Sequence, residues 1–374
     1  MFVREIGGDF CLADLLCPVE SESAYSRLLA SWEQQAYLSM YSSGRAAYYA
    51  ILKHIAAEAD HSFRVLLPSY LCHTMLDPVR AAGLDAVFYK IRADLSTDID
   101  DLARLMHTGP SVVVICDYFG FRGSLQVLDD PHLPMTDDHF VLYDATHSAL
   151  DQEPWKTAVW KPDVCVVSLR KTLPVADGAF AIWPGRVSIS GPQSPATLSE
   201  SASLRSGAML LKASYLLHGQ GDKNVYLSMY RQSESLVDEE YQQTGGMSLL
   251  SRSMLEHVGF RKARTSRRDN YLRLLEMLGN VEGVHPLFPV LPDNVYPLGF
   301  PIVVDCRDEL RAYLTRNDMY CPIHWVLPDD IPVNKFPESH GLSQRILTIP
   351  CDQRYTALDM TTIGRAVLEF IKSR

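Results

Sequence analysis

Four short segments carry residue types that could do chemistry, and each falls where a regular element is expected to begin or end. Ser168-Leu169-Arg170-Lys171 follows the apolar run 164–167. A lysine at the end of a buried strand is costly to leave unpaired. Held as an imine with pyridoxal it has a reason to be there, and a partly desolvated position keeps the free amine available. Ser168 beside it would point at a phosphate. The plainer reading is a surface lysine, the usual fate of that residue. Tyr143-Asp144-Ala145-Thr146-His147 follows the run 140–143. A carboxylate at the C-terminal end of a strand sits where α/β sheets bind ligands. Asp144 could pair with a protonated pyridine nitrogen and strengthen that ring as an electron sink, and His147, three residues on, could contact the ring hydroxyl. An Asp and a His in a surface turn would give the same letters. Ser42-Ser43-Gly44-Arg45 opens the first long helix, where small residues leave backbone N–H groups free at the positive end of the dipole. That suits a phosphate, although an ordinary cap at Ser43 explains it too. Asp177-Gly178-Ala179-Phe180 leads into another strand, with a glycine that permits close backbone approach or a positive φ.

These segments need a scaffold. Apolar runs at 65–68, 86–89, 112–116, 140–143, 164–167 and 180–183 read as strands, several of them unbroken as in strands buried on both faces. The stretch 44–58 reads as a helix, with Ala47, Ile51, Leu52 and Ile55 at helical spacing, and 73–82 and 99–106 show helical patterns between strands. This alternation predicts an α/β domain with a mostly parallel sheet and helices on both faces. A Ser-, Pro- and Gly-rich stretch at 186–204 reads as a loop, and 205–218, 223–242 and 247–278 read as helices. The basic cluster Arg261, Lys262, Arg264, Arg267 and Arg268 reads as a solvated helix face. After it the rhythm changes: strand 300–305, helix 308–317, strand 345–351 and helix 357–371 make a smaller α+β unit. The expected division is a large domain over 36–260, a small one over 261–374, and an N-terminal segment, 1–35, against the small domain or a dimer partner.

Composition narrows the function. The 374 residues are 47% hydrophobic, ample for a core, and carry a formal net charge of -10. An acidic balance argues against a nucleic-acid partner, whereas a phosphorylated ligand depends on local donors. None of the eight cysteines forms a Cys-x-x-Cys pair, so no metal site is expected and a reduced, cytoplasmic protein is the simplest reading. No signal peptide and no membrane span are expected from the apolar pattern.

Order and spacing then tie the four segments together. The chain resembles the DegT/DnrJ/EryC1/StrS family of pyridoxal-phosphate (PLP) dependent aminotransferases. The resemblance rests on Ser43-Gly44-Arg45, Pro68-Ser69-Tyr70, Asp144-Ala145-Thr146-His147, Ser168 with Lys171, and Asp177-Gly178, and it extends to Cys321-Pro322-Ile323-His324-Trp325 and Ile349-Pro350. It implies the aspartate-aminotransferase fold (fold type I) and a cytoplasmic homodimer with shared active sites. It also implies transfer of an amino group from glutamate to a keto-sugar attached to a nucleotide. By that likeness Lys171 is the imine lysine and proton shuttle, Asp144 holds the pyridine nitrogen, and His147 sits near the ring hydroxyl. Ser43, Gly44 and Ser168 bind phosphate with Arg45 beside them, and His324 lies near the substrate.

The chain departs from the family's pattern in places. Its lysine follows the serine by three residues where the family often has five, and Ala179 replaces a second glycine. No Gly-Tyr-Asn-Tyr-Arg stretch for the neighbouring subunit's phosphate is recognisable near Gly245-Gly246-Met247-Ser248, and Lys223 or Asn224 could substitute. The ring-stacking aromatic position falls near Cys72 or His73, with Tyr70 and Tyr118 as other candidates. Arg45, Arg345 and Arg354 are candidates for the donor carboxylate. The motifs specify a cofactor rather than which bond breaks, so a dehydratase or lyase on the same scaffold is the alternative, and a non-catalytic regulator a further one.

Overall fold

A computed structural model describes residues 4–15, 37–58, 63–121, 125–151, 160–184, 198–243 and 245–374. After a two-residue strand, β1 (Ile6–Gly7), comes β2 (Tyr37–Tyr41), which leads through Ser42 and Ser43 into helix α1 (Gly44–Glu58). Strands and helices then alternate as far as β5, with β3 (Arg64–Pro68), α2 (His73–Ala81), β4 (Asp85–Tyr89), α3 (Ile99–Met106) and β5 (Ser111–Cys116); β6 (His139–Asp144), β7 (Val164–Ser168) and β8 (Ala179–Trp183) follow with no α-helix between them among the described residues. Seven of these strands form one sheet in the order β2-β8-β7-β6-β5-β3-β4. Strands β3 to β7 run parallel, and β8 is antiparallel to both of its neighbours, β7 and β2. Every residue of β5, β7 and β8 is buried, as continuous apolar sequence requires of a sheet flanked by helices. β2 carries no unbroken apolar run, because it is an edge strand whose exposed and buried positions are mixed.

The sheet is followed by helices α4 (Glu200–His218), α5 (Lys223–Glu240), α6 (Leu249–Glu256) and α7 (Phe260–Leu278). Two expectations change here. Residues 200–204 are helical rather than loop, because the Ser199 side chain accepts a hydrogen bond from Ala202 N (3.2 Å) and starts α4 early; residues 186–197 of that stretch lie outside the described ones. The single helix expected over 247–278 is two, parted at residues 257–259, where Gly259 precedes α7.

The basic cluster on α7 is not simply a solvated face. Arg267 is buried and donates to Gln353 Oε1 (2.8 Å) and to the carbonyls of Pro297 (2.8 Å), Leu298 (3.0 Å) and Thr172 (3.2 Å). Arg264 Nε donates to the Leu150 carbonyl (2.7 Å) and Arg268 Nη1 to that of Val295 (2.8 Å). A guanidinium offers five donors in a fixed fork, so a helix that passes irregular backbone uses arginine to satisfy its carbonyls.

The C-terminal part holds β9 (His285–Pro286), β10 (Phe300–Val303), α8 (Arg307–Arg316), β11 (Met319–Tyr320), α9 (Pro337–Arg345), β12 (Ile346–Ile349) and α10 (Ala357–Lys372). Its antiparallel sheet has the order β12-β10-β9. β1 pairs in parallel with β11, so Ile6 and Gly7 lie against this part of the chain, while Asp9 and Phe10 also meet α4 and α5. Among the described residues no helix is long and apolar enough to cross a membrane.

Candidate active site

The C-terminal ends of the parallel strands converge on a cavity of about 110 Å³. Its lining includes Ser43, Gly44 and Arg45 from the start of α1, Cys72 from the start of α2, Asp117 beyond β5, Asp144, Thr146 and His147 at the end of β6, and Ser168, Arg170 and Lys171 at the end of β7. In a parallel sheet these ends meet on one side, so residues more than a hundred positions apart share one crevice.

Asp144 is buried. Its Oδ2 accepts from the Tyr48 hydroxyl (2.8 Å) and its Oδ1 from Thr146 N (2.8 Å). Burial pushes its pKa above the usual carboxylate range; the Thr146 and Tyr48 hydrogen bonds and the charge of Lys171 oppose this. His147 is also buried, and its Nδ1 accepts from Phe119 N (3.0 Å), so the neutral ring carries its proton on Nε2. Burial, then the nearby His324 and Lys171, hold its pKa well below the ordinary histidine value. The Trp325 ring lies 5.3 Å from the His147 ring at an interplanar angle of 27°, and it lines the same cavity.

At the helix start the Ser43 hydroxyl accepts from Ala46 N (3.1 Å), which is the ordinary cap. Its own O–H remains to donate. A side chain at Gly44 would place its Cβ 3.1 Å from Ser168 Cβ, so the helix N-terminus approaches the end of β7 closely enough that a larger residue would make the neighbour shift. Arg45 is buried and ion-paired with Asp238. Asp177 serves the framework: it accepts from Ser248 N (3.1 Å) and Ser248 Oγ (2.8 Å) beside the cap of α6, and Gly178 follows at φ +118°.

Lys171 sits in a short helical turn after β7. Its side chain is exposed rather than partly desolvated as expected, because it stands between two cavities and lines both. Among the described residues it makes no hydrogen bond or ion pair. The second cavity, of about 540 Å³, is also lined by His324, Arg170, Arg205, Glu234, Arg311 and residues 7–10. His324 Nδ1 lies 2.9 Å from Thr348 Oγ1, and burial lowers its pKa to about 3, with the Lys171 charge acting in the same direction. Arg170 is tied to Glu234, which also accepts from Arg205 (3.1 Å). Burial raises the Glu234 pKa, but Arg170 and Arg205 outweigh it and bring the group down to about 2.

The other expected site residues divide between the cavity walls and positions outside them. Tyr118 donates to the Tyr70 carbonyl (2.6 Å), and the Tyr70 hydroxyl bonds the His324 carbonyl and accepts from Trp325 N (3.1 Å). Neither tyrosine lines either cavity; they brace the loop that carries His324 and Trp325. Cys72 does line the smaller cavity. Burial opposes ionisation of its thiol, yet contacts with His73 and Thr74 and the charge of Lys171 bring its pKa down to about 7. Lys223 is tied within the chain to Glu5 and to the Tyr320 hydroxyl (2.6 Å). Arg345 is half-exposed, lines neither cavity, and donates to the Gly341 carbonyl (3.1 Å). Arg354 is engaged by Asp352 (2.8 Å). Sequence reasoning passed over Tyr48, Asp117, Glu234 and Arg311. Tyr48 carried a signal, since it lies four residues from Gly44 and so on the same helix face.

No family model matches the chain, and no curated protein matches it in sequence. Solved structures do. The chain matches a DegT/DnrJ/EryC1/StrS aminotransferase from Brucella abortus at 15% identity and TM-score 0.58, over 98% of this chain and 91% of that one. It matches PseC of Helicobacter pylori, an aminotransferase involved in the biosynthesis of pseudoaminic acid, at 14% identity and TM-score 0.65, over 99% of this chain and 100% of that one. It matches Spr1654 of Streptococcus pneumoniae in its PLP form at 12% identity and TM-score 0.64, over 98% of each chain. The chain therefore has the fold of these aminotransferases along almost its whole length.

Proposed function

We propose that the chain is a PLP-dependent aminotransferase, a divergent member of the DegT/DnrJ/EryC1/StrS family with fold type I. The carrying observation is Lys171: an amine without a protein partner among the described residues, on the wall of a cavity that also holds a buried carboxyl and a small-residue helix start. PLP fits that cavity on its chemistry. Burial alone disfavours the Asp144 carboxylate, and a pyridinium nitrogen is the cation that would offset it. The close approach of Gly44 to Ser168 leaves backbone N–H groups and the two hydroxyls of Ser43 and Ser168 to a phosphate. In this reading residues 36–260 form the cofactor domain and 261–374 the smaller one.

Bound PLP would supply an aldehyde for amines and a ring that accepts the electrons of the bond broken at the substrate carbon. The chain's own residues do the rest. Lys171 Nζ would hold the cofactor and, as a free amine, would carry the proton that the reaction moves. Asp144, kept in place by Tyr48 and Thr146, would balance positive charge at the ring nitrogen. His147 would offer its Nε2–H to the ring, and its bond from Phe119 N sets that tautomer. His324 and the second cavity face the substrates, for which glutamate and a nucleotide-linked keto-sugar are proposed. The proposed setting is a cytoplasmic homodimer that shares its active sites.

The purified protein is expected to be yellow and to change its absorbance when glutamate is added. Borohydride reduction followed by peptide mapping should label Lys171, and Lys171→Ala should abolish both label and turnover. Full turnover in that variant would overturn the proposal. Amino donor consumed in a fixed ratio to product separates transfer from a dehydratase or lyase reaction.

A further inference from the structure

The larger cavity at Lys171 is strongly cationic in a chain whose net charge is -10. Six positive side chains line it, Arg170, Lys171, Arg205, Arg267, Arg311 and Arg354, against three carboxylates, Asp9, Glu234 and Asp352. Four of the five arginines are committed to protein partners. Arg170 forks onto Glu234, with Nη2 at 2.8 Å from Oε2. Arg205 reaches Asp9 (3.0 Å) and Glu234 (3.1 Å). Arg354 holds Asp352 (2.8 Å) and the carbonyls of Gly8 (2.9 Å) and Asp9 (3.1 Å). Arg267 is satisfied by Gln353 and backbone carbonyls.

Arg311 differs. It projects from α8, and its Nε donates to the Cys321 carbonyl (3.2 Å), which restrains the guanidinium. Its Nη1 and Nη2 meet no acceptor among the described residues. Arg311 is exposed to the cavity, and with its Nε held and its two terminal nitrogens open, where the cavity's other arginines are paired, it can take an oxyanion in a forked hydrogen bond. Lys171 and His324 line the same cavity, so an anion held by Arg311 would share that space with the amine.

We infer that Arg311 is the anion anchor of the substrate site and binds a carboxylate or phosphate group of one of the two substrates. This rests on the proposed role of Lys171 for the word substrate, but not for the binding of the anion. The two sources of that anion can be told apart with unreactive probes: glutarate for a dicarboxylate amino donor, inorganic pyrophosphate for a diphosphate-bearing acceptor.

The experiment is calorimetric titration of the holoprotein and of its Arg311→Gln variant with each probe, with Arg345→Gln as a control outside the cavity. At least one probe should bind, and its affinity should fall tenfold or more in R311Q while R345Q matches the unaltered protein. The cofactor absorbance of R311Q should be unchanged, and KM for the corresponding substrate should rise with kcat retained. The responding probe identifies the source. Binding of neither probe, or equal binding by R311Q and the unaltered protein, would overturn the inference. A protein that takes up no PLP but still loses probe affinity in R311Q would refute the aminotransferase reading and leave the anion site standing.

Discussion

Acidification tests whether the imidazole of the site stays neutral, as its assigned role requires. His147 is only 7% exposed, Phe119 N donates to its Nδ1, and burial holds its pKa well below the ordinary value. In the unfolded chain the same ring takes up a proton near pH of about 6.5. The unfolded state therefore binds the extra proton, so stability that is present above that pH is lost as the pH falls. For a ring that stays neutral in the fold, the loss between about pH 7.5 and about pH 5.5 is about 1.4 kcal/mol, the difference in proton-binding free energy of the unfolded imidazole at the two values. Other groups titrate in the same range, and Asp144, whose pKa is raised, acts with the opposite sign. A comparison with His147→Gln removes them. Urea unfolding of the cofactor-free chain and of the variant, at one protein concentration and both pH values, should show the stability difference in favour of the unaltered chain shrinking by that amount on acidification. An unchanged difference would mean that His147 titrates freely in the fold, and the neutral ring that accepts from Phe119 N at Nδ1 would fall.

Two further outcomes concern the framework of the site. Tyr48→Phe removes the hydroxyl that donates to Asp144 at 2.8 Å. A hydrogen bond to a charged group contributes about 1.5–3 kcal/mol, so PLP affinity, read by absorbance titration, should fall roughly tenfold to a hundredfold; unchanged affinity would mean that Tyr48 does not support the ionised carboxylate. Gly178→Ala forces a side chain onto a residue at φ +118° and sets its Cβ 2.7 Å from Met247 Cε. The methionine tip can move, but the backbone strain stays, and a loss of about 1–3 kcal/mol should appear as a lowered thermal midpoint. A midpoint that did not move would show that the turn before β8 relaxes freely.

Much of the site was legible because its residues sit at element ends, and element ends are local. The runs at 112–116, 140–143 and 164–167 are apolar without a break, which marks buried parallel strands before any contact is known; Asp144 follows the second directly and Lys171 stands four residues after the third. Ser43 and Gly44 likewise announce a helix start. Spacing along the chain indicates the type of most elements and the face a residue takes, while their ends shift with local caps such as Ser199 and breaks such as residues 257–259. It does not settle what stands opposite. Tyr48 reaches Asp144 across 96 positions, Trp325 comes from the C-terminal part to lie against His147, and Arg267 satisfies carbonyls on both sides of its helix in the sequence. The same gap explains the arginines. Arg45, Arg345 and Arg354 looked equally free for a carboxylate, yet Asp238, Gly341 and Asp352 engage them, and Arg311 keeps an open fork. Hydrogen-bond satisfaction is decided by atoms brought together when the chain closes on itself, and no period of two or three and a half residues encodes it.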